Sequence, residues 1–174
     1  MAELARKIER IAKHALWAII GFFFGKKKSP PLPINFTSAS SVLVIRTDRL
    51  GDVVLSTPVY ESIKKSFPHL RVSVIVNRSN IPILTDNPNV DEIIPFGLKN
   101  LGTIIKQLRC NGFDIAFTLN KKFSVIASFL ALISKAQHKI GYDHDETTWL
   151  YDIRLPIDNQ PRHESLNSLE LLNY

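Results

Sequence analysis

The stretch from Val42 to Pro58, VLVIRTDRLGDVVLSTP, limits what this chain can fold into more than any other. Val42–Ile45 is an unbroken aliphatic run, as expected of a parallel strand covered on both faces. Arg46–Gly51 is polar and carries one glycine, and Val53, Val54, Thr57, Tyr60, Glu61 and Lys64 then follow at helical spacing. A strand that turns directly into a helix is the building unit of an α/β sheet. Ligands of such sheets bind at the carboxyl ends of the strands, beside this kind of turn. The turn is not a dinucleotide cradle, which needs about three glycines so that backbone N–H groups can approach a pyrophosphate. It offers acids between arginines instead: Arg46, Asp48, Arg49 and Asp52. That chemistry suits a polyhydroxylated or phosphorylated substrate better than a nucleotide.

The rest of the chain repeats the pattern. Strand-like runs fall near 42–47, 71–77, 91–96, 114–120 and 138–142, with a sixth at 150–155 ended by Pro156. Helical patterns lie near 53–66, 79–86, 98–110 and 123–134. Pro68-His69, Asn87-Pro88-Asn89 and Asn111-Gly112 close the first three helices. This alternation predicts an open, parallel, Rossmann-like sheet over residues 42–160 with helices on both faces. Leu166, Leu169 and Leu172 in 161–174 suggest the start of a segment that leads out of this domain. The lone cysteine, Cys110, excludes an intramolecular disulfide, is read as a small packing residue and is compatible with a reducing cytoplasm.

The charge is unevenly placed. Residues 1–28 hold seven basic and two acidic side chains, which accounts for +5 of the net +6. The nearly neutral remainder argues against a nucleic-acid partner, which selects a basic folded surface. Leu4, Ile8, Ile11, Ala15, Ala18 and Phe22 form one helical stripe, Ala15–Phe24 is wholly apolar or glycine, and Lys26-Lys27-Lys28 follows. Ten such residues fall short of the ~20 needed to span a bilayer. They suffice for a basic amphipathic helix lying on an anionic membrane surface. A helix packed on its own domain or on a partner is the competing reading. A secretory signal is opposed by the lysines after the apolar core and by the lack of a cleavage site. Residues 29–41, with Pro30, Pro31 and Pro33, read as a linker.

The segment VLVIRTDRLGDVVLSTPV resembles the opening motif of the glycosyltransferase family that contains the ADP-heptose:lipopolysaccharide heptosyltransferases. RVSVIVNRSNIPILTDNPNVDEIIPF resembles that family's second strand, second helix and third strand. FDIAFTLN and HKIGY resemble the next two strands, and RHESLNSLELL the exit from the first domain. The likeness runs over residues 41–172. It implies the N-terminal, acceptor-side domain of a two-domain GT-B enzyme whose C-terminal, donor-binding domain is not in this sequence. The implied activity is inverting transfer of heptose from ADP-heptose to a lipid-linked lipopolysaccharide core acceptor, at the cytoplasmic face of the membrane. The nucleotide sugar is a substrate; no cofactor and no metal are implied.

The resemblance places the family's proposed general base on Asp52, in Gly51-Asp52-Val53. Read from the turn alone, Asp52 is equally a residue that complements a helix start. Arg46, Asp48 and Arg49 are candidates for gripping acceptor phosphate or carboxylate, or for local ion pairs in a solvated loop. Gly51 is expected to serve a sharp turn or close approach of substrate. Asn120, Lys121 and Lys122 follow the fourth strand and so face the same sheet edge. They are candidates for holding the acceptor, or for capping the next helix. Tyr142, after Gly141, lines the cleft or covers the sheet edge. His163 with Asn167 shares one helical face without completing a metal site, and Asp143, His144, Asp145 and Glu146 look like a cation cluster or, with no further ligand spacing, a solvated turn. Two other functions compete. One is a non-catalytic half-domain that binds acceptor or partner and works with a complementing chain. The other is a small nucleotide-binding regulator, which the missing phosphate loop opposes.

Overall fold

The computed structural model describes residues 15, 17, 19–21 and 34–157. Its centre is a six-stranded, wholly parallel sheet in the order β3-β2-β1-β4-β5-β6. The strands are β1 Ser41–Arg46, β2 Arg71–Asn77, β3 Glu92–Phe96, β4 Ile115–Thr118, β5 His138–Tyr142 and β6 Ile153–Leu155. The helices are α1 Leu50–Leu55, α2 Thr57–Ser66, α3 Ile81–Leu84, α4 Leu101–Asn111 and α5 Val125–Ile133. This is the doubly wound order, and it places the switch point between β1 and β4.

Strand periodicity explains why β1 has no polar face. Val42 and Val44 point into one core with Val53, Val59, Tyr60 and Ile63 of α1 and α2. Leu43 and Ile45 point into the other, with Ile104 and Leu108 of α4 and Ala127 and Leu130 of α5. Between its two ends, Ser41 and Arg46, a strand in mid-sheet between two helical layers is therefore apolar on both faces. Pro95, which cannot donate to a ladder, lies in β3 at the sheet edge, opposite Val76.

The helix expected at 53–66 is two helices that meet at Ser56. Pro58 sits in the first turn of α2 and brings no N–H to the preceding carbonyls. Hydroxyls fill in: Ser56 Oγ donates to the Asp52 carbonyl at 2.7 Å and Thr57 Oγ1 to the Val54 carbonyl at 2.8 Å. The expected sixth strand shortens to 153–155, because Leu150 and Tyr151 are used for packing instead. The Tyr151 ring covers Gly141, where an added Cβ would meet ring carbons at 2.8–2.9 Å. Gly112 ends α4 at φ 56°, a backbone that glycine adopts without strain. Cys110 is exposed, not packed: it lies in the last turn of α4, whose inward positions are Ile104 and Leu108.

Of the helix expected over 1–28 only Ala15, Trp17 and Ile19–Gly21 are among the described residues, and Trp17, Ile20 and Gly21 meet the domain. Trp17 is fully buried in the second core, 5.5 Å from the Trp149 ring and 6.3 Å from Phe123, and Ile20 packs beside it. Ile34 and Phe36, in the stretch expected to be a linker, pack against the first core. Residues 158–174, and His163 and Asn167 with them, lie outside the described residues.

Two carboxylates tie strand beginnings together away from the cleft. Asp114 accepts from the N–H and hydroxyl of both Ser40 and Ser41, and Asp91 from the Val72 N–H and the Lys64 ammonium. Burial works to raise each pKa, but these donors outweigh it and hold both below the usual aspartate value. A lowered folded-state pKa contributes stability that is complete above the unfolded pKa of ~3.9 and is lost as pH falls through the folded value. Urea midpoints should therefore fall from pH 5 towards pH 2, and Asp91→Asn with Asp114→Asn should flatten that dependence. An unchanged slope in the double variant would contradict the assignment.

Candidate functional site

The β1–α1 turn, the end of β2 and the loop after β4 enclose a cleft of about 970 Å³ at the switch point. Its walls bring together Arg46, Asp48, Arg49, Asp52 and Lys121 of the residues singled out from sequence, with Lys122 beside them. That size suits a small-molecule substrate.

Arg46 ends β1 and points into the protein, with 1% of its side chain exposed. Its Nη1 donates to the Leu119 carbonyl and lies 3.3 Å from the Asp48 carboxylate. Its Nε donates to the Asp52 main-chain carbonyl at 3.2 Å, and Nη2 lies 3.7 Å from Asp52 Oδ1. The guanidinium fork expected to grip substrate is thus occupied by the protein itself. Burying a cation is costly unless it is paired and hydrogen-bonded, and two carboxylates and two carbonyls meet that need.

Asp48 is held from several sides. One carboxylate oxygen faces Arg46, and the other accepts from Asn120 Nδ2 at 2.5 Å. Its main-chain carbonyl accepts from Asn80 Nδ2 at 3.0 Å, while Asn77 Nδ2 donates to the Thr47 carbonyl at 2.8 Å. Asn77 and Asn80 were not singled out from sequence. The available signal was their place at the carboxyl end of β2, which a doubly wound sheet turns towards the same crevice. Asn120 is 4% exposed, and its Oδ1 is buried without a hydrogen-bond partner. It is a brace for Asp48 more than a helix cap, since the α5 cap is Ser124, which accepts from Ala127 N–H.

Asp52 lies in the first turn of α1, with Arg49 at the N-cap. Its backbone is anchored three ways: N–H to the Arg49 carbonyl at 3.0 Å, and its carbonyl accepting from Arg46 and Ser56. Its side chain is 37% exposed and lines the cleft. The result is one accessible carboxylate on a fixed backbone, facing Arg49, Lys121 and Lys122 around the opening. A single carboxylate can accept a proton from a bound hydroxyl, and flanking cations can hold an anionic substrate.

Two residues lie elsewhere. Gly51 is exposed in ordinary helical backbone, and an added Cβ there would meet nothing within 4 Å, so no turn demands glycine. Tyr142 ends β5 but is 3% exposed in the first core, outside the cleft wall. The Asp143–Glu146 turn is not a cation site among the described residues. Asp143 pairs with Arg154 at 3.0 Å, and His144 turns towards the Phe123 ring at 5.9 Å. Burial lowers the His144 pKa against the pull of its acidic neighbours.

Replacing Arg46 by methionine would remove the cation that faces the Asp48 carboxylate and one of the two side-chain donors to the Asp52 carbonyl. A loss of about 2–4 kcal/mol in urea unfolding is expected. Adding Asp48→Asn should recover part of it. An Arg46→Met chain as stable as the parent would remove Arg46 from this role.

No protein-family model matches the chain. Lipopolysaccharide heptosyltransferase 3 of Escherichia coli is 31% identical over 105 residues, which is 54% of this chain and 30% of that protein. The lipopolysaccharide core heptosyltransferase OpsX of Haemophilus influenzae is 28% identical over 127 residues, 69% of this chain and 36% of that one. The crystal structure of a family 9 glycosyltransferase from Veillonella parvula superimposes with a TM-score of 0.67 at 24% identity, over 77% of this chain and 40% of its own. The last likeness speaks to the fold alone, a Rossmann-like, open parallel α/β sheet. The first two make the chain heptosyltransferase-like in sequence, as its motifs suggest. It spans about a third of the length of these curated relatives.

Proposed function

We propose that this chain is the acceptor-binding half of a glycosyltransferase, and that Asp52 is the general base of an inverting transfer. The acceptor is a phosphorylated or acidic glycan of the lipopolysaccharide core, and the donor is a nucleotide-activated heptose, ADP-heptose on the likeness to the relatives. The observation that carries the reading is the cleft at the switch point: one half-exposed carboxylate on an immobilised backbone, ringed by Arg49, Lys121 and Lys122.

The division of labour follows from burial. Arg46, Asp48 and Asn120 form the floor and position Asp52. Arg49 and Lys121 take the anionic groups of the acceptor, which places one of its hydroxyls against Asp52. As the sugar–phosphate bond of the donor breaks, the hydroxyl oxygen bonds to the anomeric carbon on the opposite face, and its proton passes to Asp52. The diphosphate leaves with the bond's electron pair. No metal is needed for that proton transfer. The nucleotide sugar is assigned to a second α/β domain, since this chain spans about a third of its relatives and its β1–α1 turn has no phosphate loop. The work is done on the cytoplasmic face of the membrane, where a lipid-linked acceptor is presented.

The same partial span favours a second reading for the 174 residues alone: a half-domain that binds the acceptor, or a partner chain, without transfer. Binding measurements separate the two.

In the polypeptide that performs transfer, alone or with its donor-binding domain, Asp52→Asn should lower kcat by about two orders of magnitude or more. The unfolding midpoint should fall only slightly, because Arg46 keeps the closer Asp48 carboxylate and both carbonyls when the 3.7 Å contact to Asp52 Oδ1 is weakened. Unchanged turnover would remove Asp52 from the base role. Arg49→Gln and Lys121→Gln should instead raise KM for the acceptor about tenfold each with smaller changes in kcat. The same substitutions should weaken acceptor binding to this chain alone, and equal affinity would refute the anion-binding assignment.

A further inference from the structure

The N-terminal segment carries two apolar faces where one would serve a simple anchor. The described residues Ala15, Trp17 and Ile19–Gly21 are helical. Trp17 is fully buried against the domain, and Ile20 packs with it. Gly21 lies so close to Trp149 that an added Cβ would stand 2.5 Å from its indole nitrogen, so the fit depends on glycine there. Ala15 and Ile19, one helical turn apart, face away, and Ile19 is 57% exposed. The sequence continues as Phe22-Phe23-Phe24 and Lys26-Lys27-Lys28 and is preceded by Arg6, Lys7, Arg10 and Lys13.

We infer that this segment is a docked membrane anchor: its Trp17 face is fastened to the domain, and its Ile19 face rests on an anionic lipid surface. The partner is assigned by charge. An excess of five positive charges within 28 residues, beside an exposed aliphatic side chain, matches a surface of anionic headgroups over acyl chains. A protein partner would have no need of so many cations in a stretch of 28 residues.

Docking has a consequence for the cleft. Trp17 contacts Phe123, which follows directly on Lys121 and Lys122 of the cleft wall. An anchor fastened there sets the orientation of the lysines relative to the lipid plane, which a flexible tether would not. The transfer reaction is not a premise of this inference, and its test does not read turnover.

The two tryptophans of the chain are the two that pack together, 5.5 Å apart, so their emission reports the dock directly. The full chain should sediment with vesicles of phosphatidylcholine and phosphatidylglycerol and not with phosphatidylcholine alone. In a Trp149→Phe variant, which leaves Trp17 as the single tryptophan, vesicles with brominated acyl chains should leave the emission unquenched. Ile19→Glu, at an exposed position, should weaken vesicle binding about tenfold with the native unfolding midpoint retained. Changing Lys26, Lys27 and Lys28 together to glutamate should abolish it. Quenching of Trp17 by brominated chains would show that the segment leaves the domain to enter the bilayer, and would overturn the proposal. So would equal binding to neutral vesicles, or full binding by Ile19→Glu. A self-association that Ile19→Glu abolishes, in a chain that ignores vesicles, would assign the face to a second copy and equally overturn it.

Discussion

A single guanidinium sits where the two halves of the sheet diverge. Arg46 closes β1, and from there it reaches the carbonyl of Leu119 after β4, the carboxylate of Asp48 and the backbone of Asp52 in α1. These groups lie just past the β1–β4 ladder, whose last backbone bond runs from the Leu119 N–H to the Ile45 carbonyl. The doubly wound order creates the crevice, and the buried cation sets the spacing of what lines it. A charge that is 1% exposed tolerates little movement of its partners, since each lost contact leaves an uncompensated group in a poorly solvated place. Rigidity at the bottom of the cleft is therefore an electrostatic effect more than one of apolar packing.

Around that cation the polar residues divide by depth. Asp48 is bound to both Arg46 and Asn120, while Asn77 and Asn80 hold the carbonyls of the same loop. Further out, Arg49, Lys121 and Lys122 stand at the opening, and Asp52 lies between the two zones. The base role proposed for Asp52 calls for that intermediate place. The carboxylate must be fixed enough to meet one hydroxyl and exposed enough to receive a proton. The kink at Ser56 belongs to the same arrangement, because the Ser56 hydroxyl and Arg46 both bind the Asp52 carbonyl.

The cleft is also joined to the far N-terminus. The loop that carries Lys121 and Lys122 continues into Phe123, and Phe123 meets both Trp17 and His144. A basic, apolar-tipped segment thus shares an aromatic cluster with the cleft wall. Its pattern alone suits an anchor on a flexible linker. Folded, the segment contributes a fully buried side chain to one of the two cores.

Much of the architecture was legible in the chain because periodicity is a local property. The unbroken Val42–Ile45 run, the repeated strand–helix alternation and the closing Asn-Gly and Pro signals determined a parallel sheet with helices on both sides. Cysteine count and charge placement likewise needed no structure. Asp52 was legible as a carboxylate at the start of the helix after β1, while the base role proposed for it came from the family resemblance. Depth was not legible. Arg46 and Arg49 are three residues apart and chemically alike, yet one is the buried centre of the site and the other stands at its opening. Asn77 and Asn80 join the site from the end of β2 and the turn that follows it, and Tyr142 and Trp17 are drawn into cores. Sequence spacing defines what a residue can offer within its own element. Which face another element covers, and which charge finds a partner there, is decided only when distant strands are brought side by side.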